Sequence, residues 1–402
     1  MSAHKPLEGV KVVELASFVA APTAGRMMAE MGADVIRVES TAGDPWRFYG
    51  ANCGLPITDE ENPLFDIYNL GKKDIQLNTK TPEGKEILFH LLDEADVFIT
   101  NNRLKSLVRS GLDYESLKDR FPKLIYGLVT GYGQTGPDVP GYDGVAFFSR
   151  SGMLADMAEP SGYPASAPGC IGDGATGAAL FGGICAALFD RVRTGKGDFV
   201  EISLFGNAVW LCGTMSAFEQ YGYHYPKKRS EMGALYTFYK CKDGEWLHLA
   251  VTQHDRYWKP LAEALNVPEL AEDERFANAA LISKNRAQLI PLLEEAFSHF
   301  NYNEIAARLK ERDIVFDRMR HYRELATDPQ AVANGFVKEY IYESGHPFMM
   351  SMPPVHMRSV GETGPGRGPK PGEHTDEILK QLGCSEDEIV HLKEAGAVKQ
   401  HS

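Results

Sequence analysis

The sequence predicts an α/β fold, with a parallel sheet in a large domain and a second, smaller α+β domain. Three observations predict it. Val10 to Leu15 and Ala33 to Glu39 are short apolar strands, separated by a helix-like run from Thr23 to Met31 that Gly32 closes. Such a βαβ unit implies parallel strands and a right-handed crossover. The chain has 402 residues, which is long for one hydrophobic core. Its character changes near Gly222, where the aromatic and basic stretch Tyr223 to Arg229 reads as a linker.

The first domain, residues 1–222, continues past Glu39 with a loop-like stretch from Ser40 to Asn69. A strand is expected at Ile75 to Leu77. Thr81 to Glu94 has Pro82 in its first turn and Ile87, Leu88, Leu91 and Leu92 on one side, the pattern of an amphipathic helix. Ala95 to Thr100, Leu124 to Thr130 and Phe199 to Ser203 are further strands, and Leu204 to Tyr221 is one long apolar helix. Beyond the linker, Tyr236 to Lys240 and Trp246 to Val251 pair around an Asp243-Gly244 turn, and three helices follow. This is the small domain, residues 233–325. After a short helix from Asp328 to Asn334, Phe336 to Val360 turns to strand and loop, and the tail carries two helices.

The net charge of −13 argues against nucleic acid or an anionic membrane surface as partner. An anionic ligand therefore needs a local basic patch. The six cysteines form no CxxC pair, which suits buried thiols in a reducing compartment. The opening Met-Ser-Ala-His-Lys-Pro has no apolar signal core, and no segment approaches roughly 18 uninterrupted apolar residues. A cytoplasmic protein without a membrane span is the expectation. No HExxH, paired Cys/His set, GxSxG or Walker A sequence occurs, so no metal is expected. Gly131 to Pro137 spells GxGxxG, but Pro137 and Pro140 follow it instead of a helix. It reads as a tight loop that lets a ligand or backbone come close, and a dehydrogenase reading fails on this placement.

The chemistry concentrates at Ile171-Gly172-Asp173-Gly174-Ala175-Thr176-Gly177, ahead of the apolar run from Ala178 to Leu188. Asp173 is expected as the N-cap of that helix, its carboxylate accepting from the first free amides. A good cap is one reading. The other is a carboxylate at the positive end of a helix dipole, open to a ligand and able to act as a nucleophile. An oxyanion formed beside it would meet the same amides. Ligands of a parallel sheet sit beyond the carboxyl ends of its strands. Ser17 to Pro22 is thus a candidate pocket wall, and Arg103, Lys105 and Arg109 stand where a phosphate would sit, unless they are a solvated helix face.

Several pieces together resemble the class III coenzyme A transferases, the family of formyl-CoA transferase and carnitine CoA-transferase. They are Pro6 to Leu15, Gly32 to Glu39, Leu77 to Gly84, Gly131 to Pro137, Gly172-Asp173 with Thr176-Gly177, Thr194 to Gly197 and Gly372 to Thr375. Each is weak alone; in this order, along nearly the whole chain, they are specific. The resemblance implies a Rossmann-like large domain built from both chain ends, with residues 330–402 returning to it, and an interlocked homodimer. It implies acyl-CoA and free carboxylic acids as substrates, with no cofactor beyond coenzyme A itself. Asp173 becomes the nucleophile, passing through an aspartyl-acyl anhydride and an aspartyl-CoA thioester. Lys72, in the turn Asn69-Leu70-Gly71-Lys72, and Asn101, Arg103 and Arg109 become CoA-binding residues. Asn102, Leu104 and Lys105 depart from the family's Asn-Phe-Arg-Pro-Gly.

Val19 stands where formyl-CoA transferase has a glutamine, and no glycine-rich covering loop occurs around Arg229 to Tyr236. Both departures weigh against oxalate and formate. An apolar Phe18-Val19 wall of the substrate pocket suits a larger acyl chain. With the Asn-x-Arg-x-Lys-x-Leu segment, it is most similar to the branch acting on 2-hydroxy acids in amino-acid fermentation, the phenyllactate and 2-hydroxyisocaproate CoA-transferases. Transferases for carnitine, bile acids or oxalate are the nearer alternatives. An α-methylacyl-CoA racemase needs a histidine after the GxG loop, where this chain has Pro140-Gly141-Tyr142-Asp143. A non-catalytic CoA-binding protein would not need Asp173 intact.

Overall fold

Apolar, largely β-branched runs form β1 (Lys11–Leu15), β2 (Asp34–Glu39), β3 (Lys73–Leu77), β4 (Val97–Thr100), β5 (Ile125–Thr130) and β6 (Phe199–Ser203). The computed structural model describes residues 4–136, 139–160 and 162–401. The six strands form one parallel sheet in the order β3-β2-β1-β4-β5-β6, and Val398–Lys399 adds antiparallel to β3. This is the α/β fold with a parallel sheet that the βαβ unit predicts. Helices cover both faces, so a central strand such as β4 is buried along its whole length. The strand order reverses between β1 and β4, which opens a crevice beyond their carboxyl ends.

Several elements differ from expectation for local reasons. The helix after β1 spans Ala20–Glu30 and begins before Pro22, not after it. The first helical amides have no intrahelical acceptor, so a proline in the first turn removes nothing. Residues 40–69 are not loop throughout. Pro45–Tyr49 and Pro63–Asn69 are helices that start on proline, capped by Asp44 and Asn62 side chains that accept from Trp46 N and Phe65 N. The apolar run after β6 is two helices, Leu204–Leu211 and Gly213–Gln220.

The long helix Ile171–Thr194 carries Asp173. It packs on the Ala20–Glu30 helix and on β5 and β6. By length and composition alone it could cross a membrane. A Cβ on Gly177 would lie 2.3 Å from the Ala20 carbonyl oxygen and 2.5 Å from Thr23 Cβ, so only glycine allows this approach. Gly177→Val is expected to cost roughly 1–3 kcal/mol through overpacking. A urea midpoint equal to wild type would contradict that packing.

Two units make up the chain. One holds Met1–Met153, Ser166–Ser216 and Ala326–Ser402, and contains the parallel sheet. The other holds Leu154–Ala165 and Ala217–Leu325. It has a three-stranded antiparallel sheet, Tyr236–Lys240, Trp246–Ala250 and Phe316–Arg318, around a core that includes Tyr239, Trp258 and Phe297.

Candidate active site

A buried ionic network sets the shape of the loop after β1. Arg37, on β2, is fully buried and donates to Glu14 at 3.1 Å, to Asn69 at 3.1 Å and to Asp44. Glu39 and Asp74 also face its guanidinium, and Arg47 binds Glu39 at 2.8 Å. Burial disfavours the Arg37 charge, but Asp44, Glu39, Glu14 and Asp74 together hold it firmly protonated. Burial likewise pushes up Glu39, yet the Arg37 and Arg47 charges win and hold it at about 2. Asp44 then transmits this order to the cleft. Its Oδ1 accepts from Trp46 N at 2.9 Å and from Phe18 N at 3.3 Å.

Phe18 sits at φ 61, a left-handed backbone that a bulky residue adopts only when held there. Asn101, after β4, braces the neighbouring residue: it accepts from Ser17 N at 3.0 Å and donates to Ser17 O at 2.6 Å. The crevice between these loops is a cleft of about 300 Å³. Ser17 and Phe18 after β1, Asn101 to Leu104 after β4, the Gly131 loop after β5 and Leu204 after β6 line it, together with Tyr142 and Asp173. Phe18 meets Tyr142 edge-on at 5.4 Å and Trp46 at 6.5 Å, so one wall is aromatic. Pro137, at the end of the glycine loop, lies outside the described residues.

Asp173 is not the N-cap. The helix starts at Ile171, and its cap position is Cys170, in left-handed backbone with no capping side chain. Asp173 falls in the first turn, because Gly172 continues the helix where the sequence pattern suggested a break. The carboxylate thus sits in the first turn without acting as its cap, and the backbone amides of Cys170, Gly172 and Asp173 face the Asp143 carboxylate instead. Burial, and then the nearby Asp143 carboxylate, push its pKa up to about 7. Cys170 is pushed up to about 12 by burial, with Asp173 and Asp143 adding to it. Tyr68 is raised by burial and by the same three neighbours.

The structure brings Asp173, Phe18, Asn101 and Arg103 to this cleft. Arg103 is exposed at the N-cap position of the Leu104–Ser110 helix. Arg109 is exposed in the last turn of that helix and does not line the cleft. Lys72 is elsewhere. Its ammonium is buried and donates to Glu14 at 2.8 Å, Pro22 O at 2.9 Å and Asn69 at 3.0 Å, which occupies all its protons. It braces the network under the cleft and offers no donor to a ligand. Val19 is also away from the cleft. The left-handed turn at Phe18 puts Val19 fully inside, with Trp46 and Phe65, and leaves Phe18 and Ala20 at the surface of the cleft. Asp143, Tyr142 and Tyr68 are site residues that the sequence pattern did not single out. Asp143 alone gave a signal, as an acid two residues before the apolar Val145 to Phe148.

Comparison with known proteins agrees with this architecture. Residues 7–375 match the family described as CoA-transferase family III. The chain is 39% identical over 396 residues to (R)-2-hydroxy-4-methylpentanoate CoA-transferase of Clostridioides difficile, across 98% of this chain and 99% of that one. It is 37% identical over 392 residues to cinnamoyl-CoA:phenyllactate CoA-transferase of Clostridium sporogenes, across 96% and 95% of the two chains. A crystal structure of a CAIB/BAIF family protein from Brucella suis superposes with a TM-score of 0.80 at 32% identity, covering 94% of this chain and 100% of that one. A parallel sheet with its cleft at the strand-order reversal, matched end to end by these sequences, leads to one conclusion: the chain belongs to CoA-transferase family III, and it is an enzyme of that class.

Proposed function

We propose that the enzyme moves CoA from an acyl-CoA donor to a 2-hydroxy acid, with Asp173 as the nucleophile. The observation that carries this is the position of Asp173: a carboxylate in the first turn of a long helix, lining the cleft at the switch point, with its basicity raised. A carboxylate of this kind is a competent nucleophile toward a thioester. Asp173 attacks the donor carbonyl, the C–S bond breaks, and CoA leaves as thiolate from a mixed anhydride. The thiolate then attacks the Asp173 carbonyl and releases the donor acid as carboxylate, leaving an aspartyl-CoA thioester. The acceptor carboxylate reverses both steps. Each step exchanges one anion for another, so coenzyme A is the only carrier the sequence of steps needs.

The acid class is supported by the aromatic wall of Phe18 and Tyr142 and by the relatives above, whose names specify a branched and an aryl 2-hydroxy acid. Asn101 and Arg103, at the cleft rim after β4, are the polar groups proposed to meet CoA. A homodimer is proposed as well. The sheet-bearing unit exposes Trp210 at 82% and Val192 at 85%, apolar surface of the kind that oligomers cover. The test is exchange followed by mass spectrometry across a panel of CoA thioesters and free acids. Transfer onto 2-hydroxy acids is the expected result. Transfer only among oxalate, carnitine or bile-acid members would contradict the substrate class and leave the mechanism standing.

A further inference from the structure

The Asp143 carboxylate is a buried charge that the steps above do not use. It opens a π-helical segment, Asp143–Ser149, a distortion frequent at functional positions. Asp143 is 8% exposed. Burial pushes its carboxyl up, while the backbone amides of Cys170, Asp173 and Gly172, which face it, favour the ionised form. A buried carboxylate keeps its charge where such amides offset the lost solvation. Its neighbour is the nucleophile's own helix. A Cβ on Gly172 would lie 2.1 Å from Asp143 Oδ1, so the carboxylate is pressed against the residue that precedes Asp173. The other titratable groups at this point are Cys170, on the same helix start, and Tyr68, from the Pro63–Asn69 helix. Arg103 is the cation on the rim of the cleft.

We propose that Asp143 is the positioning residue for Asp173: its carboxylate, set against the start of the nucleophile's helix, repels the Asp173 carboxylate, and acylation of Asp173 relieves that repulsion. This rests on the reading of Asp173 as nucleophile. Two neighbouring carboxylates with little access to water repel each other while both are ionised. When Asp173 attacks the thioester, the new C–O bond neutralises it and the electron pair of the broken C–S bond departs on CoA sulfur. Asp143 then stands beside an uncharged acyl group. The repulsion present before the step is absent after it, which offsets part of the cost of making an anhydride. The same relief holds in the aspartyl-CoA thioester. The raised basicity of Asp173, with burial as first cause and Asp143 as second, agrees with this arrangement.

The experiment compares wild type, Asp143→Asn, Asp143→Glu and Asp173→Asn in CoA exchange as a function of pH. Asp143→Asn keeps the shape and removes the charge. Its kcat is expected to fall about tenfold, and the acid limb of kcat/KM to move about one pH unit lower, since Asp173 becomes a weaker base. KM for the acyl-CoA should stay within about twofold, because Asp143 acts through Asp173 and does not line the cleft. Asp143→Glu keeps the charge and should keep the acid limb near its wild-type position. A folded Asp143→Asn enzyme with wild-type kcat and acid limb would overturn the proposal. If Asp143→Asn does not fold, Asp143→Glu decides: an acid limb displaced as far as that expected for the neutral variant would overturn it. Transfer that persists in Asp173→Asn would instead remove the nucleophile, a separate failure.

Discussion

Asp173→Asn is expected to lower CoA transfer at least about a thousandfold while the protein stays folded. An amide has the shape of the carboxylate but cannot form the anhydride, so every step through the aspartyl intermediates stops. The cleft, the aromatic wall and Arg103 are untouched, so acyl-CoA binding should persist. Stability should respond in the opposite direction. The folded-state pKa of Asp173, about 7, lies above the ordinary aspartate value of 3.8, so protonation favours the folded state. The destabilisation from the buried charge is fully present above about pH 7 and is lost as pH falls through that value toward the unfolded pKa. At mildly alkaline pH the neutral variant should therefore melt higher than wild type, and at acid pH the two should converge. An active Asp173→Asn enzyme would contradict the mechanism. A variant that is inactive because it is unfolded would be seen in the melt.

The second large effect concerns stability. Arg37→Met is expected to destabilise the large unit by about 3–5 kcal/mol, because it leaves buried acids without their common partner. Glu14 and Asp74 are 0% exposed and Glu39 and Asp44 are 2% exposed, so water cannot take over for the guanidinium. Arg47 and Lys72 compensate only partly, since Arg47 already serves Glu39 and Asp74, and Lys72 serves Glu14. The loss also reaches the cleft. Asp44 fixes the Phe18 and Trp46 amides, so a loosened Asp44 releases the strained turn at Phe18. Equilibrium urea unfolding measures the first effect, and a raised KM for the acid substrate measures the second. A loss below about 1 kcal/mol would mean that the acids simply take up protons, with little consequence for the fold.

The fold class was legible because it rests on short-range pattern. A strand at Val10 to Leu15, a small-residue helix and a strand ending at Glu39 require a parallel pair, and the rest of the sheet extends it. Asp173 was legible for the same reason: glycines beside one acid ahead of a long apolar run are visible without partners. Its exact setting was not. Whether Gly172 continues the helix depends on Asp143 and Phe147 packing against its bare Cα, about thirty residues away in sequence. Lys72 shows the limit most clearly. Its turn is easy to find, but its charge goes to Glu14 on β1, and only the sheet order brings that strand beside the turn before β3. Phe18 and Val19 are adjacent and alike in character, yet one positive φ sends one to the cleft and the other to the core. Asp143 stayed hidden because its part is defined by a helix start that belongs to a later segment.

The central claim is that CoA passes through the Asp173 carboxylate on its way to a 2-hydroxy acid. The most direct measurement is to mix the enzyme with an acyl-CoA donor, quench with hydroxylamine, and locate the modified residue by peptide mass spectrometry. A hydroxamate on the peptide at Asp173, formed only with donor and diminished when a 2-hydroxy acid is added, is the predicted result. Full transfer activity with Asp173 unmodified would contradict it.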